Sequence, residues 1–115
     1  MDHLRAGALI VGLSMGMAIA SAANAGEAPL VKKGRAIVSE NCARCHAIGL
    51  EGESTHRDAP PFRIVVTRYA PETLAEALAE GISTGHPDMP MFTFEPYEID
   101  AIIAYLETLG EPAHD

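Results

Sequence analysis

Residues 42–46 read Cys-Ala-Arg-Cys-His and hold both cysteines of the chain. Two sulfurs at this spacing, with an imidazole directly behind, suit several chemistries: a disulfide, half of a zinc site, a thiol redox centre or a haem anchor. On a helical turn, positions i, i+3 and i+4 share one face. Two thiols so placed can add across the vinyl groups of one porphyrin edge while the imidazole turns under the ring toward iron. This spacing is the attachment signature of c-type haem. The rivals are weaker. A Cys42–Cys45 bridge would close a very short loop and remove little chain entropy. A structural zinc site wants four ligands, usually a second Cys/His pair at short spacing, and His56, His86 and His114 are scattered. A thioredoxin-like thiol centre wants a βαβ setting, and this chain shows no alternating strands and no tryptophan.

An iron held by His46 on one side needs a second axial donor. Met89, Met91, His86, His56 and His114 are the candidates, because Met15 and Met17 belong to the N-terminal segment discussed below. The stretch Pro87-Asp88-Met89-Pro90-Met91-Phe92 suits the task best, since a methionine in a proline-stiffened loop presents its thioether without a helix competing. A loop methionine is more often simple hydrophobic filler, but His/Met ligation is a common haem arrangement. Met89 is the first choice, with Met91 and His86 as alternatives.

The elements that must position these groups are helices joined by Pro/Gly loops. A first helix is expected from Pro29 to about Asn41, with Leu30, Val31, Gly34, Ile37 and Val38 on one apolar face. Gly34 inside it costs up to about 1 kcal/mol against alanine, so close approach by another helix is a reason to keep it. The Cys-x-x-Cys-His motif follows at the helix end. Residues 47–62 read as loop, and the β-branched Ile64-Val65-Val66-Thr67 is the sole strand-like cluster. A middle helix is expected over 71–80, with Pro71 in its first turn, Leu74 and Leu78 on one face, and Gly81 as its stop. The last helix begins near Glu95 or Pro96, with Glu98 as an early-turn acid or capping partner. Its stripe is Ile99, Ile102, Ile103, Leu106 and Leu109 with Tyr105 at the margin, and Gly110 and Pro112 end it. These helices carry too little apolar surface for a free-standing core unless something large and apolar fills the centre.

The N-terminus sets the compartment. Arg5 precedes the uncharged run Ala8–Ala20, and Ala23-Asn24-Ala25 makes an A-x-A signal before Gly26. This is the order of a secretory signal peptide, and the run is shorter than the roughly 20 residues of a membrane span. Residues 1–25 are therefore expected to be a cleaved signal and residues 26–115 one 90-residue domain. The protein would be periplasmic, without stable membrane insertion. Cleavage removes Asp2 and Arg5, so 15 acidic and 7 basic residues remain and the net charge stays −8. That balance argues against nucleic acid or anionic membrane as partner and favours a partner with a basic docking surface.

With the pieces in this order, residues 29–110 resemble a class I c-type cytochrome. The resemblance rests on Cys-Ala-Arg-Cys-His after the first helix, on Ala59-Pro60-Pro61-Phe62, on the Met89-Pro90 pair, and on the closing helix Glu98–Leu109. It implies an all-α fold of three to four short helices wrapped around one covalently bound haem. It implies one haem c, with Cys42 and Cys45 as anchors and His46 and Met89 on iron. It assigns the Pro60 carbonyl as acceptor for the free nitrogen of His46, and it sets Tyr105 against Gly34. The expected function is one-electron transfer between partner proteins rather than enzymatic turnover. The alternative is a small cytochrome subunit of a periplasmic dehydrogenase or other haem enzyme complex. Two departures stand out: no tryptophan is present to serve a haem propionate, leaving Arg63, Arg68 or Tyr69, and Lys32 and Lys33 are the only lysines for docking. Phe62, Phe92 and Phe94 flank the presumed contact segments and are expected in the pocket wall.

Overall fold

The computed structural model describes residues 7–16, 26–81 and 86–110. Among them are four α-helices and no strand: α1, Pro29–Asn41; α2, Phe62–Arg68; α3, Ala75–Glu80, entered through the 3₁₀ turn Pro71–Leu74; and α4, Pro96–Gly110. The fold is all-α and cytochrome c-like, as expected. Residues 7–16 form no regular element, and Leu9, Ile10, Val11, Leu13 and Met15 are exposed. The expected cleavage site Ala23-Asn24-Ala25, together with Met17, Pro112 and His114, lies outside the described residues. None of the described helices is long and apolar enough to cross a membrane.

Helix α4 is the hub. It packs most extensively against α1 and also meets α2, α3 and the 3₁₀ turn. The α1–α4 contact is made by backbone against backbone. A Cβ on Gly34 would overlap the Ala101 carbonyl and lie 2.8 Å from Tyr105 Cβ, closer than real Cβ contacts come. Tyr105, expected at the margin of its stripe, is instead at the centre of this contact, only 1% exposed. Its hydroxyl donates to the Ile48 carbonyl, tying α4 to the loop after the cysteine–histidine motif. Ala101, whose carbonyl faces Gly34, is fully buried here. On α1, Gly34 and Val38 are buried, whereas Leu30 is 47% exposed and falls off the packed face.

Helix α2 begins at Phe62, the residue the sequence reading assigned to the loop, and takes up the β-branched cluster that follows it. Pro61 precedes the helix in an extended conformation, and its carbonyl accepts from the Ile64 and Val65 amides. Val66 packs against the core, and the Thr67 hydroxyl donates to the Ile64 carbonyl at 2.7 Å. Packing thus overrides a weak local preference. In α3, Gly81 ends the helix with φ 105°, where an L side chain would be strained. At the start of α4, the Glu98 carboxylate accepts from the Glu95 amide at 2.9 Å, the reach-back half of a capping box.

The buried apolar set among the described residues is small: Val38, Ala59, Leu78, Ile99, Ala101, Ile102, Tyr105 and Leu106. All of it but Ala59, which lines the cleft, gathers where α4 meets its neighbours.

Two outcomes follow. Gly34→Ala should destabilise the domain by about 1–3 kcal/mol through overpacking, despite better helix propensity. For a domain of this size that lowers Tm by roughly 4–8 °C per kcal/mol in a thermal melt. Tyr105→Phe should cost about 0.5–1.5 kcal/mol, because it removes the hydrogen bond to the part-buried Ile48 carbonyl; chemical denaturation of the variant checks it.

Candidate functional site

The cysteine–histidine motif prolongs α1 by one tight turn. The Cys42 amide donates to the Val38 carbonyl at 2.8 Å and the His46 amide to the Cys42 carbonyl at 2.9 Å. Both bonds have helical i→i−4 spacing, so the residues expected to share a face do so. The two thiols are not bridged to each other. The segment is braced from the following loop. The Ala47 amide donates to Ser54 Oγ at 3.0 Å, Thr55 Oγ1 donates to the Arg44 carbonyl, and the His56 amide donates to the Cys45 carbonyl at 3.2 Å.

His46 is held by two contacts. Its Nδ1 donates to the Pro60 carbonyl at 2.7 Å, the acceptor the resemblance assigned. The Phe62 ring packs on it with centroids 5.0 Å apart. The Phe62 amide donates to the Ala47 carbonyl at 2.9 Å, so the start of α2 fixes that ring directly. With Nδ1 engaged, Nε2 carries the lone pair. Burial pushes the His46 imidazole below its ordinary pKa; the Pro60 bond opposes this, and the neighbouring His86 and His56 add to it. The net effect keeps the ring neutral, the form that binds a metal.

The motif forms one wall of a cleft of about 830 Å³, counting its open side. Cys42, Arg44, Cys45 and His46 stand on one side, with Ala59 and Phe62; His56 and the loop residues His86, Pro87, Asp88, Met89 and Pro90 complete it, with Phe92 behind. Met89 lines the cleft. Met91 does not: it is 72% exposed and lies against Gly81. Phe62 and Phe92 are wall residues as expected. Phe94 instead packs on the core and stacks on Phe92 at 5.8 Å, and its amide donates to the Leu78 carbonyl at 3.0 Å.

Some expectations are corrected. Arg63, Arg68 and Tyr69 are absent from the cleft lining. Arg63 Nη1 donates to the Gly52 carbonyl at 2.7 Å, and Tyr69 is 57% exposed. The lining arginine is Arg44, inside the motif itself. It was legible only as an intervening residue because spacing says nothing about its side chain's destination. His56, one of the scattered histidines of the sequence, also belongs to the site. Its Nε2 is 3.2 Å from Asp88 Oδ2, and its Nδ1 accepts from the Asp58 amide at 3.1 Å. Asp88 has φ 69°, the left-handed region that few non-glycine residues occupy. His56 thereby clasps the loop at the residue just before Met89. The 32-residue separation hid this pairing from any local pattern.

The donor set fits haem better than its rivals. Burial pushes the Cys42 thiol up to about 11, opposite to the lowered pKa that reactive redox cysteines carry. Among the described residues, no three His, Cys, Asp or Glu side chains gather as a metal-ion site. A half-buried pair of thiols beside an inward imidazole, on a mainly apolar slot, is what a thioether-linked macrocycle requires.

An all-α, cytochrome c-like fold carrying this motif at the end of its first helix defines a c-type cytochrome, a class that binds haem c covalently and transfers electrons. The model of one family, described as cytochrome c oxidase, cbb3-type, subunit III, matches residues 29–106, and the chain belongs to that family. No curated protein and no solved structure matches it. The haem c is held through Cys42 and Cys45. The double variant Cys42→Ala/Cys45→Ala is expected to surrender its haem to acidic acetone, where the parent chain retains it through the extraction.

Proposed function

We propose that the protein is a periplasmic monohaem cytochrome that carries single electrons between partner proteins, with His46 and Met89 as axial ligands. When bound, the haem supplies a one-electron ferric/ferrous couple. Cys42 and Cys45 hold the macrocycle, so local opening of the loops does not release it. Pro60 orients His46, and its carbonyl raises the basicity of Nε2. Met89 offers a soft thioether from the facing loop, which favours the reduced metal and a higher potential. An iron held by both His46 and Met89 would offer small oxidants no open site. The observation that carries the reading is the 2.7 Å Pro60 bond, which turns His46 Nε2 toward a cleft also lined by Met89.

Residues 1–25 serve as the export signal in this reading, supported by their charged, apolar and small-residue order. The net charge of −8 supports docking on a basic surface. Such encounters are small and transient. A second reading draws support from the family's description: a subunit that stays with a larger oxidase. It predicts co-purification in a high-mass complex, whereas the carrier reading predicts a small free species.

The test is the spectrum of the exported holoprotein. A c-type α-band on reduction and a weak far-red ferric band, the mark of sulfur on iron, are expected. Met89→Ala should abolish the far-red band and lower the midpoint potential in a redox titration. A parent protein without that band would remove Met89 from the iron.

A further inference from the structure

Resting on the His46/Met89 reading, we propose that His86 is a second, exchangeable axial ligand, the imidazole that takes the sixth position when the Met89 thioether leaves it. The ring of His86 faces that of His46 edge-on, with centroids 5.9 Å apart and planes at 66°. Metal–imidazole bonds are roughly 2.0–2.1 Å, so one ion shared by two imidazoles sets their centres about 6 Å apart. The two rings already stand near that separation, and both line the cleft.

Both rings also have Nδ1 beside a backbone carbonyl. His46 Nδ1 donates to the Pro60 carbonyl at 2.7 Å, and His86 Nδ1 lies 3.2 Å from the Pro87 carbonyl. A ring whose Nδ1–H donates to a backbone carbonyl presents Nε2 as the basic nitrogen, the usual support for a metal-ligating histidine. Of the two alternatives to Met89 that the sequence left open, Met91 is turned out against Gly81 while His86 is turned in.

Exchange needs only a local rearrangement. His86 and Met89 are separated by Pro87 and Asp88. Asp88, at φ 69°, is the one described non-glycine residue with positive φ. The His56–Asp88 contact spans the base of this turn. It ties the loop to His56 at the residue before Met89, while His86 already stands across from His46. Since a nitrogen donor favours the oxidised metal more than a thioether does, the swap lowers the potential while keeping the iron six-coordinate.

The experiment uses holoprotein from cells that mature c-type cytochromes. The parent's far-red band is read first; its absence would sink the Met89 assignment independently of His86. Ferric Met89→Ala should then be low-spin, without the sulfur band, and with the electron paramagnetic resonance of two imidazole ligands. Met89→Ala/His86→Ala should be high-spin. Its ferrous form should bind carbon monoxide at least about tenfold more tightly than Met89→Ala, because an internal ligand occupying most of the population taxes affinity by that fraction. A high-spin Met89→Ala, or a double variant that stays low-spin, overturns the proposal.

Discussion

One hydrogen bond, from His46 Nδ1 to the Pro60 carbonyl, sets the geometry of the whole site. An imidazole has two nitrogens, and only the one left unprotonated can donate to a metal. The 2.7 Å bond assigns the proton to Nδ1 and turns Nε2 into the cleft. It also spans the loop after the cysteine–histidine motif, so the conformation of residues 47–61 and the orientation of the ligand depend on each other. Phe62, packed on the ring and starting α2, makes that dependence a tertiary one.

The frame behind this bond is the α1–α4 crossing. Gly34 admits the Ala101 backbone, and Tyr105 fills the space beside it while its hydroxyl reaches the Ile48 carbonyl. One aromatic residue thus connects the helix crossing to the loop carrying the site. The buried apolar set is concentrated there. The opposite half of the domain is closed by loops, which is why a small chain of this design relies on a bound macrocycle for its interior.

The loop facing His46 is built differently. Its described residues, 86–95, form no helix, and they include two prolines, a left-handed aspartate and a histidine–carboxylate contact. Such a segment is drawn from the less stable part of a fold. Membership in the cbb3-type oxidase subunit III family is consistent with electron transfer by this chain. The polar groups at the cleft, Glu40, Arg44 and Asp88, give its mouth a mixed character within an acidic protein.

The sequence alone determined whatever depends on local spacing. The motif's shared face, the Pro29–Asn41 and Pro96–Gly110 helices, the Gly81 stop and the small residue in α1 follow from periodicity and from conformational preferences of glycine and proline. The Pro60 acceptor and the Gly34–Tyr105 meeting were legible through resemblance, because those pairings recur with the motif order. Tertiary structure alone decided the rest. Ile64–Thr67 became helical because Val66 had a core to pack on. Tyr105 moved from margin to centre because the crossing point depends on both helices. His56 met Asp88, and His86 faced His46 instead of Met91, because the folded loops bring together side chains that no local period connects.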